Sequence, residues 1–169
     1  MNDISQLIPD AHQLVRITVR LLGAVFVGSL VGLQRELTHK PAGLRTHMLV
    51  ALGTALFIVG AQESSMEHAD LSRVLQGLAT GIGFLGAGAI LKLTSEKEIH
   101  GLTTAAGIWT TAAASATAAL GQFATALIGV IFGLLVLVAF HKLEKQLGHR
   151  ARKDSETHPR LNGDPPDLL

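Results

Sequence analysis

The chain contains no cysteine in 169 residues, which excludes disulfides, zinc-thiolate sites and thiol catalysis and leaves its redox compartment open. Charge is also scarce. Asp, Glu, Lys and Arg make up 16% of the residues against 48% hydrophobic, and a net charge of +1 makes no case for a nucleic-acid partner. From Ile99 to Phe140 there is no Asp, Glu, Lys or Arg at all, and His100 is the only ionisable side chain in that run. Catalytic signatures are missing too: the histidines show no H-E-x-x-H spacing, and no nucleophile elbow or phosphate loop with its lysine occurs.

What remains is long and apolar. A single helix over the Ile99–Phe140 run, at about 1.5 Å per residue, would be roughly twice as long as a bilayer core is thick, so it divides into two spans with "ALGQF", Ala119 to Phe123, as the break. Uncharged stretches also cover Leu21–Gln34, Thr46–Gln62 and Val74–Leu91. The first reaches spanning length if it begins near Arg16, with Arg16 and Arg20 extending toward the headgroups. Helices are therefore predicted at 16–34, 46–62, 71–92, 101–120 and 122–141. The fold class expected is an all-α integral membrane protein with five transmembrane helices and Gly/Ala-rich packing. In this division 1–15 is a polar N-terminal segment, 16–141 the membrane domain, and 142–169 a cytoplasmic tail, basic and then disordered. The acidic start "MNDISQLIPDAHQL" does not read as a cleaved signal peptide, so the first span is expected to be retained.

Loop charges set the expected orientation. The first connection carries Arg35, Lys40 and Arg45 against Glu36, whereas the second carries Glu63, Glu67 and Asp70 with Arg73 at its far end. The first is read as cytoplasmic and the second as external, which places the N-terminus in the periplasm and the basic C-terminus in the cytoplasm; Arg16 and Arg20 run against this rule. Gly28-x-x-x-Gly32, Gly77-x-x-x-Gly81 and Gly129-x-x-x-Gly133 each put two glycines on one helix face, where backbones can approach closely. Such faces pack within one protomer or join protomers into a homo-oligomer. The fourth helix, "TTAAGIWTTAAASATAAL", is built of small residues and is expected to be buried among the others.

"GIGFLGAGAIL" contains Gly81-x-Gly83-x-x-Gly86, with Gly88 following, and as a bare pattern this is a dinucleotide fingerprint. The fingerprint needs a buried strand before it and an acidic residue about 20 positions on. Here the stretch lies inside an uncharged helical run and the nearest acids, Glu96 and Glu98, sit in a charged loop, so the glycines read as helix-packing residues.

The densest polar stretch is "QRELTHKPAGLRTH", and Arg35, Glu36, Lys40, Gly43, Arg45, Thr46 and His47 form a candidate functional loop. Glu36 is expected to pair with Arg35 or Arg45, because charges at membrane depth cost several kcal/mol unless paired or hydrated. The plainer alternative is a set of solvated positive-inside charges. Arg73, Gln76, Thr103, Thr104 and Trp109 are candidate polar residues facing the bundle, with Thr110 and Thr111 beside them; membrane-helix threonines mostly bond the backbone one turn earlier. No two acids share a membrane face, so no cofactor is expected: magnesium is conceivable but lacks a clear ligand set.

Three blocks carry a family resemblance. "GLQRELTHKPAGLRTHMLVALGTALF", "GIGFLGAGAIL" and "IHGLTTAAGIWTTAA", in this order and spacing, resemble the signature blocks of the MgtC/SapB family of bacterial inner-membrane proteins over roughly Leu21 to Phe140. The resemblance implies a five-helix membrane protein associated with magnesium limitation, acid stress and virulence, and a regulator of another membrane protein, the ATP synthase in the founding member. That member has a soluble C-terminal domain, which this chain is expected to lack. The expected partners are membrane lipid, further copies of the chain and a membrane protein. The function expected is thus non-enzymatic regulation, with an oligomeric magnesium or other ion transporter as the rival reading and a membrane enzyme as a weaker third.

Overall fold

A computed structural model of the chain describes residues 10–64, 68–92 and 99–139. Expectations for residues 1–9, for Glu67, for the charged loop 93–98 and for the tail from 140 onward lie outside these. The described elements are α1 (Ala11–Leu37), α2 (Leu44–Glu63), α3 (His68–Gly88), a two-strand ribbon of β1 (Leu91–Lys92) and β2 (Ile99–His100), α4 (Leu102–Ala119) and α5 (Phe123–Ala139). The chain divides into two compact units, Met1–Leu134 and Leu135–Leu169; of the second only 135–139 are described, and they are helical.

Local chemistry sets the helix ends. Asp10 caps α1, its Oδ1 accepting from the Gln13 amide at 2.6 Å. At the other end His39 takes a left-handed conformation (φ 53°), Lys40 N donates to Arg35 O and His39 N to Glu36 O. This is a Schellman ending with histidine where glycine is usual. Gly121 (φ 89°) ends α4 in the same way, with Gly121 N on Ala118 O and Gln122 N on Thr117 O. It forms the break that the sequence places in "ALGQF".

Two predicted boundaries are corrected. Helix α1 begins at Ala11, five residues before the expected start at 16, because Asp10 supplies its N-cap. The third helix stops at Gly88 rather than running to 92, and Leu91 and Lys92 pair antiparallel with His100 and Ile99. Gly101 (φ 93°) makes the return to α4 possible, because a Cβ there would strike the Ala89 carbonyl. The described chain is otherwise all-helical.

Helices α1, α2 and α4 pack against one another, while α3 lies on α4 and, less extensively, on α2. Side chains at the crossings are small or β-branched: Ala24, Val27, Val31, Ala51, Ala55, Ile58, Ala118 and Ala119 are all 3% exposed or less. As its composition suggests, α4 is the most enclosed helix, with ten of its 18 residues buried. At the end where α1 begins, Gln13 bonds Glu63 and Arg20 Nη1 donates to Gln62 Oε1 at 2.5 Å, so α1 and α2 run antiparallel. Arg20 thus turns back to α2 instead of only extending outward.

Two helices, α1 and α2, are long and apolar enough to cross a membrane, and α5 is a shorter apolar helix. Among the described residues α3 and α4 do not meet that measure. The former contains Asp70, Arg73, Gln76 and five glycines, and the latter is made of Ala, Thr and Gly instead of Leu and Val. Only 22% of the most apolar window of α1 and 39% of that of α2 is buried, so most of this apolar surface faces outward.

Candidate functional site

Two side chains of the first loop region enter the α1/α2/α4 core. Arg35, in the last turn of α1, is 2% exposed and donates from Nη2 to Thr104 Oγ1 at 2.6 Å. His47, one turn into α2, is fully buried, its Nδ1 2.7 Å from Thr111 Oγ1. Thr104 and Thr111 are seven residues apart, two turns on one face of α4, and Gly107 lies between them. A Cβ at Gly107 would sit 3.6 Å from His47 Cε1, an ordinary contact, so the imidazole packs directly against this part of α4.

Glycine on α1 makes the approach of α2 possible. A Cβ at Gly28 would lie 2.5 Å from Ala51 Cβ and 2.8 Å from His47 O, and one at Gly32 would lie 2.9 Å from both His47 Cβ and Leu44 Cα. No side chain fits at either position without moving α2 away, and α2 carries His47 to Thr111. The packing glycines and the buried histidine are therefore one structural unit.

Glu36 does something other than the ion pairing expected of it. Its Oε2 accepts from the Leu44 amide at 2.9 Å, capping the N-terminus of α2, where Gly43 has no side chain to do so. A Cβ at Gly43 would require the Glu36 carboxylate to shift from this position. Among the described residues the ion pair is instead Arg73–Asp70, at 2.8 Å and exposed on α3. Lys40, Arg45 and Thr46 are exposed on the outside of the loop.

The residues expected to face the bundle divide sharply. Thr104 does so, whereas Arg73, Gln76 and Thr103 are exposed. Trp109 is 49% exposed and lines a cleft of about 180 Å³ between α2, α3 and α4, together with Thr54, Leu75, Leu78 and Ile82. The α3 glycines also separate from those of α1. A Cβ at Gly77, Gly81, Gly83 or Gly88 would meet nothing within 4 Å, and one at Gly86 would make only ordinary contact with Ala105 Cβ at 3.6 Å.

Several interior groups lie beyond what loop composition indicates. Arg35 Nε, His47 Nε2, Gln34 Oε1, Thr54 Oγ1 and Ser115 Oγ are buried without a hydrogen-bond partner. No carboxylate among the described residues neutralises Arg35. The signal for Thr104 and Thr111 was present as the spacing Thr104, Gly107, Thr111 on one helical face. Thr80, Thr110 and Thr117 bond the carbonyl four residues back, as membrane threonines commonly do, but Thr104 and Thr111 bond side chains of other helices. No group of three His, Asp or Glu residues placed to hold a metal occurs among the described residues.

The model of the MgtC family matches residues 21–146. The chain is 44% identical to Protein SrpB of Synechococcus elongatus over 76% of this chain and 77% of that protein. It is 39% identical to YhiD of Escherichia coli K12, whose name marks it as a candidate magnesium transporter, over 76% of this chain and 62% of that one. It is 35% identical to Protein MgtC of Salmonella typhimurium over 76% of this chain and 54% of that one. The match thus spans less than two thirds of YhiD and about half of MgtC. No solved structure matches the chain.

Proposed function

The chain belongs to the MgtC family, whose members are membrane-associated and not known as enzymes, and from that premise we propose that it is a multi-pass protein of the bacterial inner membrane, in magnesium-linked or stress-linked homeostasis, that acts by binding and regulating another membrane protein. The observation that carries this reading is the sign of the interior charge. The polar groups gathered inside the α1/α2/α4 core are a guanidinium, an imidazole and threonine hydroxyls, with no carboxylate among the described residues to offset Arg35. A divalent cation passing this point would meet repulsion from Arg35 and find no hard anionic ligand, the reverse of what magnesium requires.

Partner binding draws support from the outer face of α3. Gly77, Gly81 and Gly88 leave its backbone uncovered beside Phe84, which is 81% exposed, and Leu85, which is 51% exposed. In a bilayer such a surface gains dispersion contacts from a second helix that lipid supplies less well. Orientation with the Arg35–His47 loop in the cytoplasm follows the positive-inside rule. The partner is a membrane protein, with the ATP synthase as the choice suggested by the family and further copies of the chain as a second occupant of the same face.

The rival reading, an oligomeric ion transporter, rests on the name of YhiD. Magnesium flux into proteoliposomes separates the two, with Glu36→Gln and Arg45→Ala as controls. The regulator reading expects flux no greater than that of empty vesicles; robust flux that those variants abolish overturns it.

A further inference from the structure

The most unusual group in the interior is Arg35. Its guanidinium is held by Thr104 in the first turn of α4, its Nε has no acceptor, and no carboxylate among the described residues faces it. A buried cation left in this state is costly, and an orphaned charged donor commonly marks an ion or water that completes the site. What adjoins it has the same sign. Helix α4 starts at Gly101, which offers no side-chain cap, and no described group accepts from the amides of Leu102, Thr103 or Thr104. These amides, without an acceptor among the described residues, and the positive end of an 18-residue helix attract an anion, and Arg35, bonded to Thr104 Oγ1 in the same turn, supplies a full charge.

We propose that this end of the core, where Arg35 meets the first turn of α4, binds a phosphate-class oxyanion through Arg35 Nε and the free amides of α4. Arg35 lies in the last turn of α1, where a spanning helix reaches headgroup level, so the phosphate comes either from a phospholipid headgroup or from free phosphate in the adjoining water. Guanidinium and amide donors both favour a multiply charged anion with several acceptor oxygens. The site needs no magnesium flux and no protein partner, so it stands or falls separately from the regulatory reading.

The test uses the full chain in neutral detergent and in nanodiscs. Inorganic phosphate binding is titrated in detergent, and retention of phosphatidic acid is compared with that of phosphatidylcholine in nanodiscs. Arg35→Gln removes the charge. Thr103→Glu, at an exposed position in the first turn, places a carboxylate over the free amides, which favours the helix while repelling an anion. Saturable binding in either arm, weakened at least about tenfold by both variants, is expected from the loss of one charge-assisted contact. Binding in detergent identifies free phosphate as the source, and binding only in nanodiscs identifies the headgroup. If Arg35→Gln does not fold, Thr103→Glu decides alone. Absence of binding in both arms, or equal binding by a folded Thr103→Glu variant, overturns the proposal.

Discussion

Helices α1 and α3 carry the same signal, two glycines four residues apart, and use it differently. At Gly28 and Gly32 the absent side chains are filled by the backbone and side chains of α2, so the helices cross at contact distance and His47 reaches Thr111. At Gly77 and Gly81 nothing within 4 Å fills the same absence. Glycine spacing therefore reports that a face can be approached closely, and only the fold shows whether the protomer itself makes the approach. On α1 the glycines are a structural requirement of the core; on α3 they leave a surface open to something else.

This contrast is broken most readily at Gly28. Gly28→Leu is expected to destabilise the protein by roughly 1–3 kcal/mol or to prevent folding, since overpacking a close crossing forces backbone shifts. A thermal unfolding series in detergent measures it, and retention of wild-type stability would show that α1 and α2 do not approach as described. Next in size is Thr111→Val, which keeps the shape and removes the hydroxyl. His47 then loses its partner while already buried, at about 1–3 kcal/mol for a buried group left unpaired. Unfolding midpoints compared with Thr110→Val check this, because Thr110 bonds only its own helix backbone.

A smaller effect is expected at Glu36. Glu36→Gln leaves an acceptor for the Leu44 amide and removes the charge at the N-terminus of α2, for about 0.3–1 kcal/mol, with the loss shrinking further as salt is raised. A loss well above 1 kcal/mol would instead restore the ion pair first expected with Arg35 or Arg45. The smallest effect belongs to α3. Gly77→Ala and Gly81→Ala meet open space and raise helix propensity, so the stability of the isolated protomer should rise slightly or stay unchanged, by less than about 1 kcal/mol each. Destabilisation of the detergent-solubilised monomer would erase the distinction between the two helices.

Much of the architecture was readable because it depends on one-dimensional patterns. Uncharged runs gave five helices, the left-handed Gly121 falls in the predicted break, and the Ala/Thr composition of α4 announced its enclosure. The end of α3 was not readable, because the apolar run continues through Leu91 while a ribbon pairing with Ile99 and His100, beyond the charged loop, competes for it. The role of Glu36 was missed for a related reason. A carboxylate beside two arginines suggests pairing, yet the α2 N-terminus, brought close by the tight turn through His39 and Gly43, offers a fixed donor at 2.9 Å. At the candidate site, loop composition identified Arg35 and His47 but could not separate them from exposed Lys40, Arg45 and Thr46. That separation depends on which residues α4 meets, and Thr104 and Thr111 acquire meaning only once the helices cross.

The central claim is that the α3 face is a docking surface and the α1 face an internal one. Because the chain has no cysteine, Gly81→Cys introduces a single thiol at a position with open space around it. Thiol-directed cross-linking of this variant in native membranes is the most direct test. A discrete protein–protein adduct, lost when Gly77→Leu is added, is the result predicted; a Gly81→Cys variant that remains monomeric under conditions where lipid-soluble reagents modify its thiol fully would contradict the claim.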